Sequence, residues 1–248
     1  MLDRIRNLVW RARSGIVLAP AARALALACV TVYLIQLVTA RTQFVRGFGY
    51  SFSDCLTYCF GLHWPLLLRG FLWQPVTYMF LHGSLAHLLL NTFTVLFFGS
   101  GLEIEVGSRR FWRIFLLGGA IGGLGWVLAD AFEPRLVAWL ASGPAWAQGV
   151  LQALRLHRVA TGHGICIGAS GGVFALIGAY AALFPRRETL VLVLFWPVTL
   201  KARTLAIVLG VATVGAAVIG LGQVAYAAHL AGGAAGYVYG LRLRRHVA

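Results

Sequence analysis

The chain has 248 residues, 60% of them hydrophobic and 11% charged, with a mean hydropathy of +0.81. Soluble globular domains carry about 25% charged residues, so this composition excludes that class and indicates a polytopic membrane protein. The formal net charge of +14 would suit a nucleic-acid binder, but no basic patch is interleaved with aromatic residues, so no nucleic-acid partner is expected.

A helix needs about 20 apolar residues to cross roughly 30 Å of hydrocarbon. Six runs approach that length in chain order: Ala21 to Val38, Ser84 to Gly99, Phe111 to Ala131, Gly168 to Phe184, Thr204 to Leu221 and Val224 to Leu241. The segment MLDRIRNLVWRAR ahead of the first run is basic, but no cleavage site follows it, and the first run reads as a retained helix. Residues 1–20 then form a short basic N-terminal segment, 21–242 one membrane domain and 243–248 a basic tail.

The connections have their own character. Arg41 to Leu81 is rich in Phe, Tyr and Trp, which suits an element lying at the membrane interface. Its Cys55 and Cys59 can pair in an oxidising compartment, whereas Cys29 and Cys166 read as packed thiols. Phe132 to His163 is read as a loop carrying interfacial helices, and TLVLVLFWPVTL, Thr189 to Leu200, as a partly buried or re-entrant piece broken by Pro197. With the N-terminus inside, fifteen of the 21 Lys and Arg residues fall on the inner side, a bias that places both termini in the cytoplasm and favours a bacterial inner membrane.

Polar groups inside a membrane are costly, and each is a functional candidate. HGSLAHLLLN places His82 before span two and stacks His87 and Asn91 at i and i+4 on one helix face; span four carries Ser170 and span six His229. All of the last four lie a few residues past the start of an even-numbered span, so three helices present polar groups at one depth near the outer surface. Gly232, Gly236 and Gly240 follow His229 on one face, and span four offers Gly171, Ala175, Gly178, Ala179 and Ala182. Packing these small faces together brings an imidazole toward a hydroxyl.

A serine needs a base within about 2.6–3.2 Å to become a nucleophile, and a tetrahedral intermediate needs donors for its oxyanion. His229 is the candidate base. The start of span four offers unpaired backbone N–H groups, and His87 and Asn91 add side-chain donors. No acidic residue lies at that depth, so the pattern predicts a Ser-His dyad instead of a triad. Packing alone also explains a GxSG cluster in a membrane helix, and three imidazoles can bind zinc, although no carboxylate or thiol joins them.

The stretches WQPVTYMFLHGSLAHLLLN (Trp73 to Asn91), GASGGVFALIG (Gly168 to Gly178), AHLAGGAAG (Ala228 to Gly236) and GLEIEVGSRRF (Gly101 to Phe111) resemble the rhomboid family of intramembrane serine proteases. The resemblance implies an all-α, six-transmembrane-helix rhomboid-like bundle in which the fourth helix is short and starts deep. It implies Ser170 as nucleophile, His229 as general base, and His87, Asn91 and the Ser170 N–H as oxyanion hole. His82, Gly168, Phe174, Gly232 and Gly236 would support them, with Phe174 against the imidazole. Expected partners are transmembrane protein substrates and the lipid bilayer, with no cofactor and no metal. Gln74 and Glu105 stand where many members carry Arg, and the third loop is long. A catalytically silent membrane chaperone that binds transmembrane helices is the alternative, disfavoured by the intact Ser170 and His229. A small transporter is disfavoured by the lack of internal repeats.

Overall fold

The computed structural model describes residues 17–40, 51–146, 148–149, 164–193, 196–219 and 225–247. Helix α1, Pro20–Thr39, opens with a proline at its first position, where the missing N–H costs nothing. No side chain of its own caps it. The cap comes from another helix: the Glu103 carboxylate accepts from Ala21 N at 2.9 Å and Ala22 N at 2.8 Å, while Ser108 Oγ donates to the same group at 2.6 Å. Glu103 is 3% exposed, so losing it orphans two buried donors. Glu103→Ala is expected to cost about 1–3 kcal/mol of stability, with Glu103→Gln in between, read as the midpoint of denaturant unfolding in mixed micelles.

The first connection folds as three short helices, α2 (Phe52–Phe60), α3 (Trp64–Leu67) and α4 (Gln74–Thr77), and a 3₁₀ turn at Tyr78–Phe80. Ser51 and Asp54 form a capping box at the start of α2. Hydrogen bonds from the Ser51 backbone and then its hydroxyl hold the Asp54 carboxyl below its ordinary pKa. Cys55 and Cys59 are free thiols on this helix. Gln74 is fully buried; it accepts from His63 N and its amide lies 3.3 Å from Cys59 O, so it ties the loop together without a charge.

Span two is longer than the sequence suggests. It comprises α5 (Leu85–Thr94), a π-helical turn at Val95–Gly99 and α6 (Ser100–Val106). Gly107, at φ +81°, then reverses the chain into α7, Ser108–Ser142. This 35-residue helix absorbs the start of the expected third loop; Glu133 and Pro134 do not interrupt its backbone. Most of the remainder of that loop, 150–163, lies outside the described residues, as does 1–16.

Helix α8, Ser170–Leu183, has 14 residues, about 21 Å at 1.5 Å each, too short to cross the hydrocarbon alone. Nearly all of it is buried, which makes it the axis of the bundle. The stretch expected to be re-entrant is a β-hairpin instead: β1 (Glu188–Val193) pairs antiparallel with β2 (Trp196–Lys201), in register from Glu188 opposite Lys201 to Val193 opposite Trp196. Pairing satisfies the inward backbone groups of a chain that Pro197 keeps from being a helix. Arg187, just before it, pairs with Glu105 and stacks on Phe184.

Helices α9 (Ala202–Ile219) and α10 (Tyr226–Val247) complete the bundle, the latter running through the residues expected to form a tail. The core lies between α7, α8 and α10, while apolar residues such as Leu27, Leu34, Leu90, Leu117, Leu128 and Val211 face outward. Outward-facing leucines on long apolar helices are what a bilayer solvates.

Candidate active site

Helices α5, α8 and α10 all begin at the same end of the bundle, and their first turns converge. On α10, Gly232, Gly236 and Gly240 meet α8 directly. A Cβ at Gly232 would lie 2.2 Å from Gly171 O, one at Gly236 1.9 Å from Ala175 O, and one at Gly240 2.7 Å from Ala179 O. Two backbones can approach this closely only without side chains between them. Helix α7 packs against both with its own glycines, a Cβ at Gly122 falling 2.7 Å from Ala228 O.

This contact places His229 Nε2 2.8 Å from Ser170 Oγ, a distance at which the hydroxyl donates to an unprotonated ring nitrogen. The Phe174 ring, one turn on from Ser170, lies parallel to the imidazole at 4.3 Å and 7°. It limits the ring to the plane that points Nε2 at the hydroxyl. Ser170 and His229 are both partly exposed.

Ser170 is the first residue of α8, so the earliest backbone N–H groups of the helix have no intrahelical acceptor and the positive end of its dipole is at the hydroxyl. Gly168, at φ +120°, turns the chain into this position, and its N–H bonds Tyr78 O at 2.9 Å. The His87 ring occupies the space of the missing side chain: a Cβ at Gly168 would lie 2.4 Å from its Cε1 and 2.6 Å from its Nε2. Leu62 and Cys166 exchange both backbone hydrogen bonds at 2.9 Å, fastening the first connection to the segment before Ser170.

His82, 2% exposed, holds Asn91 by a contact of 3.1 Å between its Nε2 and the amide nitrogen, and meets His87 edge to face at 5.2 Å. Ser170, His229, His87, Asn91, His82, Gly168 and Phe174 therefore lie within this cluster, and Gly232 and Gly236 lie in the helix contact behind it. Sequence reasoning missed Tyr78, whose hydroxyl bonds Gly119 O at 2.7 Å between α7 and α8, and Gln36, whose side chain accepts from His82 N at 3.1 Å. The signal for Gln36 was present as the one amide of span one. Tyr78 carried none, being one aromatic among many in its loop.

Comparison with known proteins places this arrangement. A model of the rhomboid domain matches residues 69–246, which takes in every residue of the cluster except Gln36 and Leu62. The chain belongs to the rhomboid family. As a rhomboid it is an integral, multi-pass helical membrane protein. Rhomboid-related protein 1 of Caenorhabditis elegans is 31% identical over 135 residues, 52% of this chain and 29% of that protein. Rhomboid-related protein 3 of Homo sapiens is 28% identical over 115 residues, 46% of this chain and 21% of that protein. RHOMBOID-like protein 6, mitochondrial, of Arabidopsis thaliana is 34% identical over 83 residues, 33% of this chain and 26% of that protein. The matched stretch thus spans less than a third of each of these relatives.

The rhomboid bundle also has an apolar groove of about 540 Å³ between α9 and α10, lined by Ile207, Gly210, Val211, Val214, Gly215 and Leu230. Leu230 follows His229 in the chain, but none of Ser170, His229, His87 and Asn91 lines the groove. Among the described residues, no group of three His, Cys, Asp or Glu side chains is placed to hold a metal ion.

Proposed function

We propose that this rhomboid is an intramembrane serine protease that hydrolyses a peptide bond in or beside a transmembrane segment of a membrane protein. The 2.8 Å contact between Ser170 Oγ and His229 Nε2, at the N-terminus of a buried helix, is the observation that carries the reading. Ser170 Oγ attacks the scissile carbonyl carbon while its proton passes to His229 Nε2. The oxyanion that forms is met by the Ser170 N–H, His87 and Asn91; removing one such donor typically costs about 10²–10³ in kcat. As the intermediate collapses, the C–N bond breaks and His229 returns the proton to the leaving amine. Water, activated by the same imidazole, then hydrolyses the acyl-enzyme.

Deacylation needs water at Ser170, so this reading requires a polar path to Ser170 from the outer side. The basic-loop bias supports both termini in the cytoplasm, as in a bacterial inner membrane. A substrate span approaches sideways between helices, with α9 as the element that yields. The second reading, a silent chaperone for transmembrane helices, predicts no selective pressure to keep a hydroxyl and an imidazole in hydrogen-bond contact.

The test is cleavage of a single-span substrate with a helix-destabilised segment by the purified protein in liposomes, beside Ser170→Ala and His229→Ala. Cleavage by the parent alone is expected. A parent that binds the substrate without cutting it makes the chaperone the better account.

A further inference from the structure

Among the described residues, Gln36 is a buried amide in a span that the catalytic reading leaves unexplained. Gln36 lies near the end of α1, a helix that contributes none of the four groups assigned to the reaction. It is 6% exposed in an otherwise apolar stretch of the chain. An amide in that setting is expensive unless its hydrogen bonds do something.

What Gln36 does is hold His82. Its Oε1 accepts from His82 N at 3.1 Å, fixing the backbone where the chain leaves the 3₁₀ turn and enters span two. The orientation of the His82 ring follows from two further contacts. Nδ1 lies 3.3 Å from Phe80 O; a carbonyl only accepts, so Nδ1 carries the proton. Nε2 is then an acceptor, and its 3.1 Å partner, Asn91 Nδ2, must donate. One N–H of the Asn91 amide is thereby spent on His82, which fixes the plane of the amide and leaves the second N–H of the same nitrogen to aim elsewhere. The edge-to-face contact with His87 means that the same ring also buttresses the other side-chain donor.

We infer that Gln36 is a positioning residue for the oxyanion hole, acting from span one through His82 on the Asn91 amide. The inference rests on the proteolytic reading and adds to it a residue that lies outside the region matched by the family. Because oxyanion stabilisation is required only in the transition state, its loss lowers kcat and leaves KM unchanged. A displacement of about 1 Å at reacting groups can cost about 10²-fold.

The experiment measures kcat and KM for a single-span substrate in liposomes with the full chain. Gln36→Leu, which matches the size and suits a lipid-facing helix, is expected to lower kcat between about tenfold and 100-fold at unchanged KM, and Gln36→Met to do the same. Gln36→Glu keeps an oxygen acceptor at the same place and is expected to restore most of kcat. In an Asn91→Ala background, Gln36→Leu is expected to add little, since both act through one amide. A purely structural glutamine would instead give independent losses that multiply, with no rescue by Glu. Multiplying losses, or an active Gln36→Leu protein with parental kcat, overturn the inference alone. A parent with no Ser170-dependent cleavage overturns the proteolytic reading and this inference with it.

Discussion

Alanine at Ser170 or at His229 is expected to lower turnover of a membrane-spanning substrate by about 10⁴-fold or more, and alanine at both positions to lower it no further. The hydroxyl and the imidazole act as a unit: without the base the serine keeps its proton, and without the serine the base has nothing to activate. Among the described residues, no carboxylate is a partner of His229, so orientation of the ring falls to its stack with Phe174. Turnover measured on the single and double variants, with folding checked by unfolding midpoint, separates this from two independent contributions. Losses that multiply would mean that the 2.8 Å contact is incidental.

The second large effect concerns packing. Gly236→Val is expected to prevent α10 from docking on α8, with loss of the folded bundle or a fall in stability above the roughly 1–3 kcal/mol usual for overpacking. Already a Cβ at this position meets Ala175 O at 1.9 Å, Ala175 C at 2.5 Å and Ala175 Cα at 2.6 Å. These are backbone atoms, which cannot swing away as a long side chain can. Gly232, against Gly171 O, sits nearer the reacting groups; Gly232→Ala is expected to push His229 from Ser170 and to affect turnover before it affects folding. Gly210 on α9 gives the contrast. Nothing lies within 4 Å of a Cβ there, so Gly210→Ala is expected to be neutral or to stabilise the helix by up to about 1 kcal/mol. Unfolding midpoints of the three variants in one detergent check the order.

These contacts explain what could be read from the amino-acid sequence. Ser170 and His229 were legible because glycine spacing on a helix is a geometric statement: residues at i, i+3 or i+4, and i+7 share a face, and a face without side chains must meet another backbone. Depth was legible because spans alternate in direction. The hairpin at Glu188–Lys201 was not legible. Its strands are apolar on both faces, so the alternation that marks a half-buried strand is missing, and a short apolar run does not declare its period. The end of α7 was hidden for a different reason: Glu133 and Pro134 read as a loop, whereas a helix can carry both. Glu103 at the head of α1 and Gln36 beneath His82 stand out as polar residues, but their partners lie on other elements and are set by tertiary contacts that no local pattern encodes.

The central claim is that Ser170 is a nucleophile activated by His229. Its most direct measurement is the site and rate of reaction with a fluorophosphonate probe in membranes, mapped by mass spectrometry. A single adduct on Ser170, absent in Ser170→Ala and much slower in His229→Ala, is the predicted result. A parent that cleaves its substrate without an adduct at Ser170, or an adduct formed equally fast in His229→Ala, would contradict it.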